Sequence, residues 1–396
     1  MFPTLYHFLR DTLGIEIAFL EIVNTFGLFV ALAIAAAYWA MQTEFARKTG
    51  LGLFPMKKTT VIIGAPAPNI EYVTNGILAF VFGFKILYLI QNSGGGFVPQ
   101  DHIFTSEGNL FFGVLFGLAS IGYRYYTDKK ERKNPPVEKT VNQGIADEMG
   151  NITAVALISG FLGAKIFHIL ETPENFSLQV VLDQLFTTGG WTFFGGLICG
   201  AGGVLWYTSK KGYALFHVLD AGVPAMMLAY GVGRFGCHFS GDGDWGIANP
   251  NPKSWLPDWA WAYKYPHNVL GKSYGGPDME LIPGCEGNYC YQLINPVYPT
   301  PLYEALMALT LFAILWFYVR KLALKPGQVL SIYLVFAGVE RFLIESIREH
   351  GDSLYTLGNV IFSQAQMISL ALIVSGIAIW FLASKNIIKA PAPSKQ

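Results

Sequence analysis

Long apolar runs separated by short polar stretches organise the 396-residue chain. Nine of them read as helical spans, at about 16–41, 70–92, 107–125, 148–170, 189–208, 215–238, 301–320, 327–348 and 360–384. A run of roughly 20 apolar residues is long enough to cross the hydrocarbon layer as a helix. In lipid the backbone must satisfy its own hydrogen bonds, so helix is the default. The pattern therefore predicts an all-α, polytopic transmembrane bundle, a single domain over residues 1–396. The first run is too long for a signal peptide and carries no small-residue cleavage site.

Composition agrees with this reading. The chain is 52% hydrophobic and only 14% charged, against about 25% charged in soluble domains. The formal net charge is zero, which argues against a nucleic-acid partner.

The basic residues predict an orientation. One set of connections holds Arg47, Lys48, Lys57, Lys58, Arg124, Lys129, Lys130, Arg132, Lys133, Lys139, Lys210, Lys211, Arg320, Lys321, Lys325, Lys385, Lys389 and Lys395, and the other only Arg10, Lys253, Lys264, Lys272 and Arg348. That is 18 against 5, and the rich side is expected in the cytoplasm. The N-terminus is then outside and the C-terminus inside.

The loop 239–300 falls on the outer side. Its density of Trp, Tyr, Pro and Gly predicts a cap over the bundle mouth, with Trp255, Trp259 and Trp261 suited to the headgroup level. Cys285 and Cys290 lie in it and are candidates for a disulfide, free thiols being the alternative. A single CxxxxC pair is poor evidence for a metal site. Cys199 and Cys237 sit in apolar surroundings and read as small buried residues.

Ionisable residues inside spans are costly, so they usually face a partner or a cavity. Arg341, Glu345 and Arg348 are spaced to share one face of the eighth span; Arg234 ends the sixth, and Tyr303 and Glu304 open the seventh. All fall in the outer half of the predicted bilayer. Ion pairs that only fix helix packing are one explanation. An anion site is the other, since arginine forks suit phosphate and carboxylate. The glycine-dense stretch from Gly233 to Gly246 argues against regular helix there, and its backbone N–H groups could line such a site.

These residues resemble the phosphatidylglycerol–prolipoprotein diacylglyceryl transferases of bacteria. Gly233-Arg234-Phe-Gly236 through Gly241-Asp242 and Trp245-Gly246 is similar to the family's Gly-Arg signature, with Asp220-x-x-x-Pro224 as its lead-in. Gly189-Gly190-Trp-Thr-Phe-Phe194-Gly195-Gly196 resembles the family's glycine-rich helix, and Thr25-Phe26-Gly27-Leu28 its first-helix motif. Tyr298-Pro-Thr-Pro-Leu-Tyr303-Glu304 resembles the His-Pro-Thr-Gln-Leu-Tyr-Glu element, and Arg341, Glu345 and Arg348 match the C-terminal helix. The motifs cover roughly 15–45 and 145–385. Seven spans are usual in the family, so residues 60–140 look like a two-helix insertion. Phe194, Phe26, Cys237, Tyr298 and Ala337 depart from the family's residues.

The resemblance implies transfer of a diacylglyceryl group from phosphatidylglycerol to the lipobox cysteine of a prolipoprotein, at the periplasmic side of the bacterial inner membrane, with membrane lipids around it and no metal or cofactor. Arg234 and Arg341 are expected to bind the phosphate and stabilise the leaving group. Arg348, Gly241, Gly246, Gly195, Gly196, Tyr303 and Glu304 would complete the headgroup site. Glu345 would orient an arginine, Asp242 would anchor the glycine loop or Arg234, and His238, Asp242 or Glu345 would take the thiol proton. Two other readings stand: a diverged paralogue that binds lipid or lipoprotein as a membrane complex subunit, and a transporter. Against the transporter, the sequence shows no convincing internal repeat of the kind many transporters carry.

Overall fold

The computed structural model describes residues 1–92, 102, 105–133, 135–171, 177–187, 189–251, 255–271, 278–285, 288–322, 324–348, 354–357 and 360–388. Among the described residues twelve helices run in chain order: α1 (Leu5–Leu13), α2 (Thr25–Gly50), α3 (Asn69–Gln91), α4 (Leu110–Glu131), α5 (Met149–Glu171), α6 (Leu178–Phe186), α7 (Phe193–Lys210), α8 (Leu215–Ser240), the single turn α9 (Asp258–Trp261), α10 (Thr300–Phe317), α11 (Gln328–Glu345) and α12 (Gln364–Ser384). Among the described residues six helical segments are long and apolar enough to cross a membrane: Thr25–Gly50, Asn69–Gln91, Ile145–Glu171, Leu215–Ser240, Thr300–Lys321 and Gln364–Ser384. The chain is a polytopic helical membrane protein. Helices α4, α7 and α11 occupy the other three runs read from the sequence.

Two boundaries differ from expectation. The first span begins at Thr25 and not near residue 16, because Asn24, which follows a 3-10 turn over Ala18–Ile22, caps α2, its Oδ1 accepting from Phe26 N at 2.8 Å. Helix α11 stops at Glu345, so Arg348 lies beyond it and pairs as an isolated bridge with Gly246. Arg341, Glu345 and Arg348 therefore do not share one continuous helical face.

Among the described residues three two-stranded ribbons accompany the helices: β1 (Lys57–Ile63) with β2 (Val137–Gln143), β3 (Met279–Leu281) with β4 (Tyr291–Leu293), and β5 (Leu354–Leu357) with β6 (Val360–Ser363). The β1–β2 register runs from Lys57 opposite Gln143 to Ile63 opposite Val137. Their Thr, Val and Ile content suits a pleated strand.

The described chain forms two units. One comprises Met1–Glu16, Val23–Pro55 and Thr208–Gln396; the other comprises Ile17–Ile22 and Met56–Tyr207. In the first, Val223 and Met227 of α8, Ala308 and Leu315 of α10, and Val329 and Leu330 of α11 make the core. Helix α11 has no side-chain cap of its own. The buried Asp220 of α8 supplies one instead, accepting from Gly327 N at 2.8 Å and Leu330 N at 2.9 Å. Gly338 and Gly376 let α11 and α12 touch backbone to backbone, since a Cβ on Gly338 would come within 2.7 Å of Ser369 O.

The segment after α8 folds on its own small core of Trp245, Tyr265, Leu293 and Val297. Asn268 holds its turn, donating to Tyr265 O at 3.0 Å and accepting from Gly271 N at 2.9 Å. Cys285 and Cys290 are joined by a disulfide. Tyr303 Oη ties α10 to the same segment through Ala260 O at 2.7 Å. Of the three tryptophans, Trp255 and Trp259 are exposed, whereas Trp261 donates to Asn251 O at 3.1 Å.

Candidate active site

Three arginines from separate parts of the first unit converge on one carboxylate. Glu304, in the first turn of α10, has a side chain 0% exposed. Its Oε2 lies 2.8 Å from Nε of Arg234, and its Oε1 lies 3.0 Å from Arg341 and 3.4 Å from Arg348. Asp244 bridges the same set from the loop side, one oxygen on Arg234 and the other on Arg348. Arg341 also reaches Glu345 at 2.8 Å, and Glu345 accepts from Ser363 Oγ at 2.9 Å. Arg234 lies over the ring of Tyr230, one turn earlier on α8, at 5.4 Å.

Helix α8 continues through Gly233 and Gly236 up to Ser240, contrary to the expectation of irregular backbone there. Gly236 is required for packing: a Cβ would meet Phe29 Cβ at 2.8 Å. The helix ends where Gly241 takes φ 66°, its N–H returning to Cys237 O at 3.0 Å. The loop that follows is pinned on two sides. Gly246 N donates to Tyr298 O at 2.8 Å, Thr300 Oγ1 donates to Asp244 O at 2.9 Å, and Ile247 N donates to Ile347 O at 2.9 Å. A Cβ on Gly246 would stand 2.4 Å from Ile347 O, so glycine is the residue that fits.

The two loop aspartates differ in chemistry. Burial works against the charge of Asp244, but Arg234 and Arg348 outweigh it and hold its carboxyl below the usual aspartate range. Burial pushes the Asp242 carboxyl up, only partly offset by the Cys237 thiol that donates to it. Asp242 also accepts from Asp244 N at 3.4 Å. It thus anchors the glycine loop, while Asp244 takes Arg234. The ligand atoms of Cys237, Asp242 and Asp244 lie within 4.8 Å of one another. Two guanidinium groups already engage Asp244, a poor environment for a cation.

His238 points elsewhere. It is buried among aromatics, with Nδ1 3.3 Å from Tyr265 Oη and its ring against Phe239 and Tyr263. Gly195 and Gly196 belong to the other unit, where they face α5: a Cβ on Gly195 would come within 2.5 Å of Gly163 O, and one on Gly196 within 3.3 Å of Gly160 O. The sequence pointed to no role for Asp244, Tyr230, Thr300, Ser363 or Glu340. Glu340 is 6% exposed and its Oε1 is buried without a hydrogen-bond partner. An acidic residue next to Arg341 inside a span was the available signal for it.

A family model described as prolipoprotein diacylglyceryl transferase matches residues 109–382. A protein of Clostridium tetani is 28% identical over 272 residues, covering 68% of this chain and 91% of that relative. One of Xylella fastidiosa (strain 9a5c) is 28% identical over 260 residues, covering 63% and 82%. One of Vibrio vulnificus (strain CMCP6) is 30% identical over 303 residues, covering 74% and 95%. All three carry the name phosphatidylglycerol–prolipoprotein diacylglyceryl transferase. With a family model spanning more than half its length, this multi-pass membrane chain belongs to the prolipoprotein diacylglyceryl transferase family.

Proposed function

We propose that the protein transfers a diacylglyceryl group from phosphatidylglycerol to the lipobox cysteine of a prolipoprotein, at the periplasmic face of a bacterial inner membrane. The observation that carries the reading is the convergence of Arg234, Arg341 and Arg348 on Glu304 and Asp244. Half-buried guanidiniums held by ion pairs to a buried carboxylate are preorganised for a phosphate oxyanion. The cluster pairs these three arginines with three carboxylates, Glu304, Asp244 and Glu345, so an incoming phosphate must displace one. Asp244 is the candidate, its side chain 36% exposed against 0% for Glu304.

In the reaction the acceptor sulfur attacks the glyceryl carbon of the lipid, and the carbon–oxygen bond to phosphate breaks. A thioether forms and glycerol-1-phosphate leaves with the bond's electron pair, its charge met by Arg234 and Arg341. The thiol proton needs an acceptor, because a free thiol has a pKa of about 8.5. Asp242 suits this task better than His238 or Glu345. Its carboxyl is raised by burial, whereas His238 is held by Tyr265, and Glu345 is engaged by Arg341 and Ser363.

The test is transfer of radiolabelled lipid to a lipobox peptide by purified protein. Arg234→Ala and Arg341→Ala should each abolish thioether formation; full activity in both variants would sink the phosphate assignment. The diverged-paralogue reading is favoured by Phe26 and Phe194, which stand where the family carries polar side chains. It predicts bound lipid without any thioether product.

A further inference from the structure

Two hairpins in the second unit correspond position for position. Gly83-Phe84-Lys85-Ile86-Leu87-Tyr88-Leu89-Ile90 on α3 aligns with Gly163-Ala164-Lys165-Ile166-Phe167-His168-Ile169-Leu170 on α5. On the following helices, Phe111-Phe112-Gly113 through Gly117 aligns with Phe194-Gly195-Gly196 through Gly200. A shift of 80 positions carries Lys85 onto Lys165, and one of 83 carries Gly113 onto Gly196.

The contacts repeat with the residues. A Cβ on Gly83 would stand 2.6 Å from Phe112 O, and one on Gly163 would stand 2.5 Å from Gly195 O. One on Gly117 would lie 3.3 Å from Gly76 O, and one on Gly200 would lie 3.4 Å from Ala156 O. Asn109 N donates to Phe84 O at 2.8 Å, and Thr192 N donates to Ala164 O at 3.2 Å. Glycine packing alone is common between membrane helices. It does not account for the matched backbone bond one residue before each lysine.

The lysines do the same work in both hairpins. Lys165 is 3% exposed and donates to Gln184 O at 3.0 Å, Thr187 O at 2.7 Å and Gly189 O at 2.6 Å, with Trp191 4.3 Å away over its ring. Lys85 donates to His102 O at 2.9 Å, Thr105 O and Glu107 O at 2.7 Å. An ammonium within a span is costly unless carbonyls satisfy it. Each lysine here gathers the carbonyls of the chain that leads into the second helix.

We infer that residues 69–131 and 149–210 are two copies of one lysine-anchored hairpin, and that Lys165 is a positioning residue for the glycine segment 189–196. The first half corrects the expectation of no internal repeat. The second half rests on the transferase reading, since the headgroup role of Gly195 and Gly196 is what the family resemblance implies. Lys85 then provides an internal control: it anchors a hairpin of the same build that lacks the Gly195–Gly196 pair.

The experiment compares Lys165→Met, Lys165→Arg and Lys85→Met in nanodiscs, by hydrogen exchange and by lipid transfer. Lys165→Met should speed exchange across 184–192, and Lys85→Met across 105–109, each about tenfold or more. Transfer should fall roughly tenfold in kcat, with KM nearly unchanged, for Lys165→Met alone, and Lys165→Arg should restore it. Unchanged exchange in both segments would overturn the shared anchor. Equal loss of transfer in Lys85→Met and Lys165→Met would overturn the positioning role. Should the wild-type protein transfer nothing, the transferase reading fails, and the paired anchors stand or fall on the exchange result.

Discussion

Glu304 holds Arg234 at 2.8 Å from a position with no solvent-exposed side-chain surface. The two residues lie on α10 and α8, so their pairing brings together the ends of helices separated in sequence by the whole segment 241–299. The same carboxylate also receives Arg341 and Arg348. Removing one member of a buried ion-pair cluster leaves uncompensated charge, a cost of about 3–5 kcal/mol. Glu304→Gln is therefore expected to lower the melting temperature markedly and to reduce transfer at least about a hundredfold. Thermal unfolding in detergent, paired with the peptide lipidation assay, checks both effects.

Asp244 plays the opposite part. If phosphate replaces it on Arg234 and Arg348, Asp244→Asn removes the competing charge. The variant should bind a soluble phosphate monoester such as glycerol-1-phosphate about five- to tenfold more tightly, a gain of roughly 1–1.4 kcal/mol. Isothermal titration decides; weaker binding than wild type would show that Asp244 orients the arginines and is not displaced.

The aspartates also predict opposite responses to pH. The Asp244 carboxyl is held low, so its pairing with Arg234 and Arg348 contributes stability above about pH 3.9 that is lost as pH falls through its folded value. The Asp242 carboxyl is raised, so the folded state keeps that proton longer than the unfolded chain. Stability from this group consequently falls as pH rises from about 3.9 through the raised value. Asp242→Asn should flatten that loss and melt higher than wild type near neutrality, while its transfer rate drops if Asp242 accepts the thiol proton. Melting curves from pH 4 to 8, with matched rates, separate the two roles.

Gly246→Ala places a methyl 2.4 Å from Ile347 O, a backbone atom that cannot rotate aside. The bridge between Gly246 and Arg348 should open, drawing Arg348 away from Asp244. A loss of about 2–3 kcal/mol in stability and a fall in transfer are expected. Gly284→Ala offers a comparison, since open space surrounds it and only its φ of 75° is strained.

The first hairpin copy should be separable. Its ribbon ends pair, Lys57 opposite Gln143, so deleting residues 58–142 joins two positions already side by side. The shortened protein is expected to insert, to remain monodisperse in detergent and to keep transfer within about threefold, about 0.65 kcal/mol. Size-exclusion chromatography and the lipidation assay provide the readout, and collapse of activity in a well-folded deletion would give the first copy a catalytic part.

Much of this protein follows from its sequence alone. Uninterrupted apolar runs determine that it is a helical membrane protein, because lipid leaves the backbone no other way to pair its polar groups. Arg234, Glu304, Arg341 and Glu345 announce a site because ionised groups inside spans demand partners. The β1–β2 ribbon and the paired hairpins were not foreseen from the sequence, although the β-branched run from Thr59 to Ile63 and the matching lysine and glycine positions were there to point to them. What only the tertiary structure decided is which charge meets which. Asp242 and Asp244 are chemically identical two residues apart, yet the turn after Gly241 directs Asp244 to two arginines and leaves Asp242 with the Cys237 thiol. Glu304 becomes the hub, and His238 an aromatic core residue, through contacts far apart in the chain. Side-chain pairing of that kind depends on three-dimensional proximity, which a residue's identity and its near neighbours do not encode.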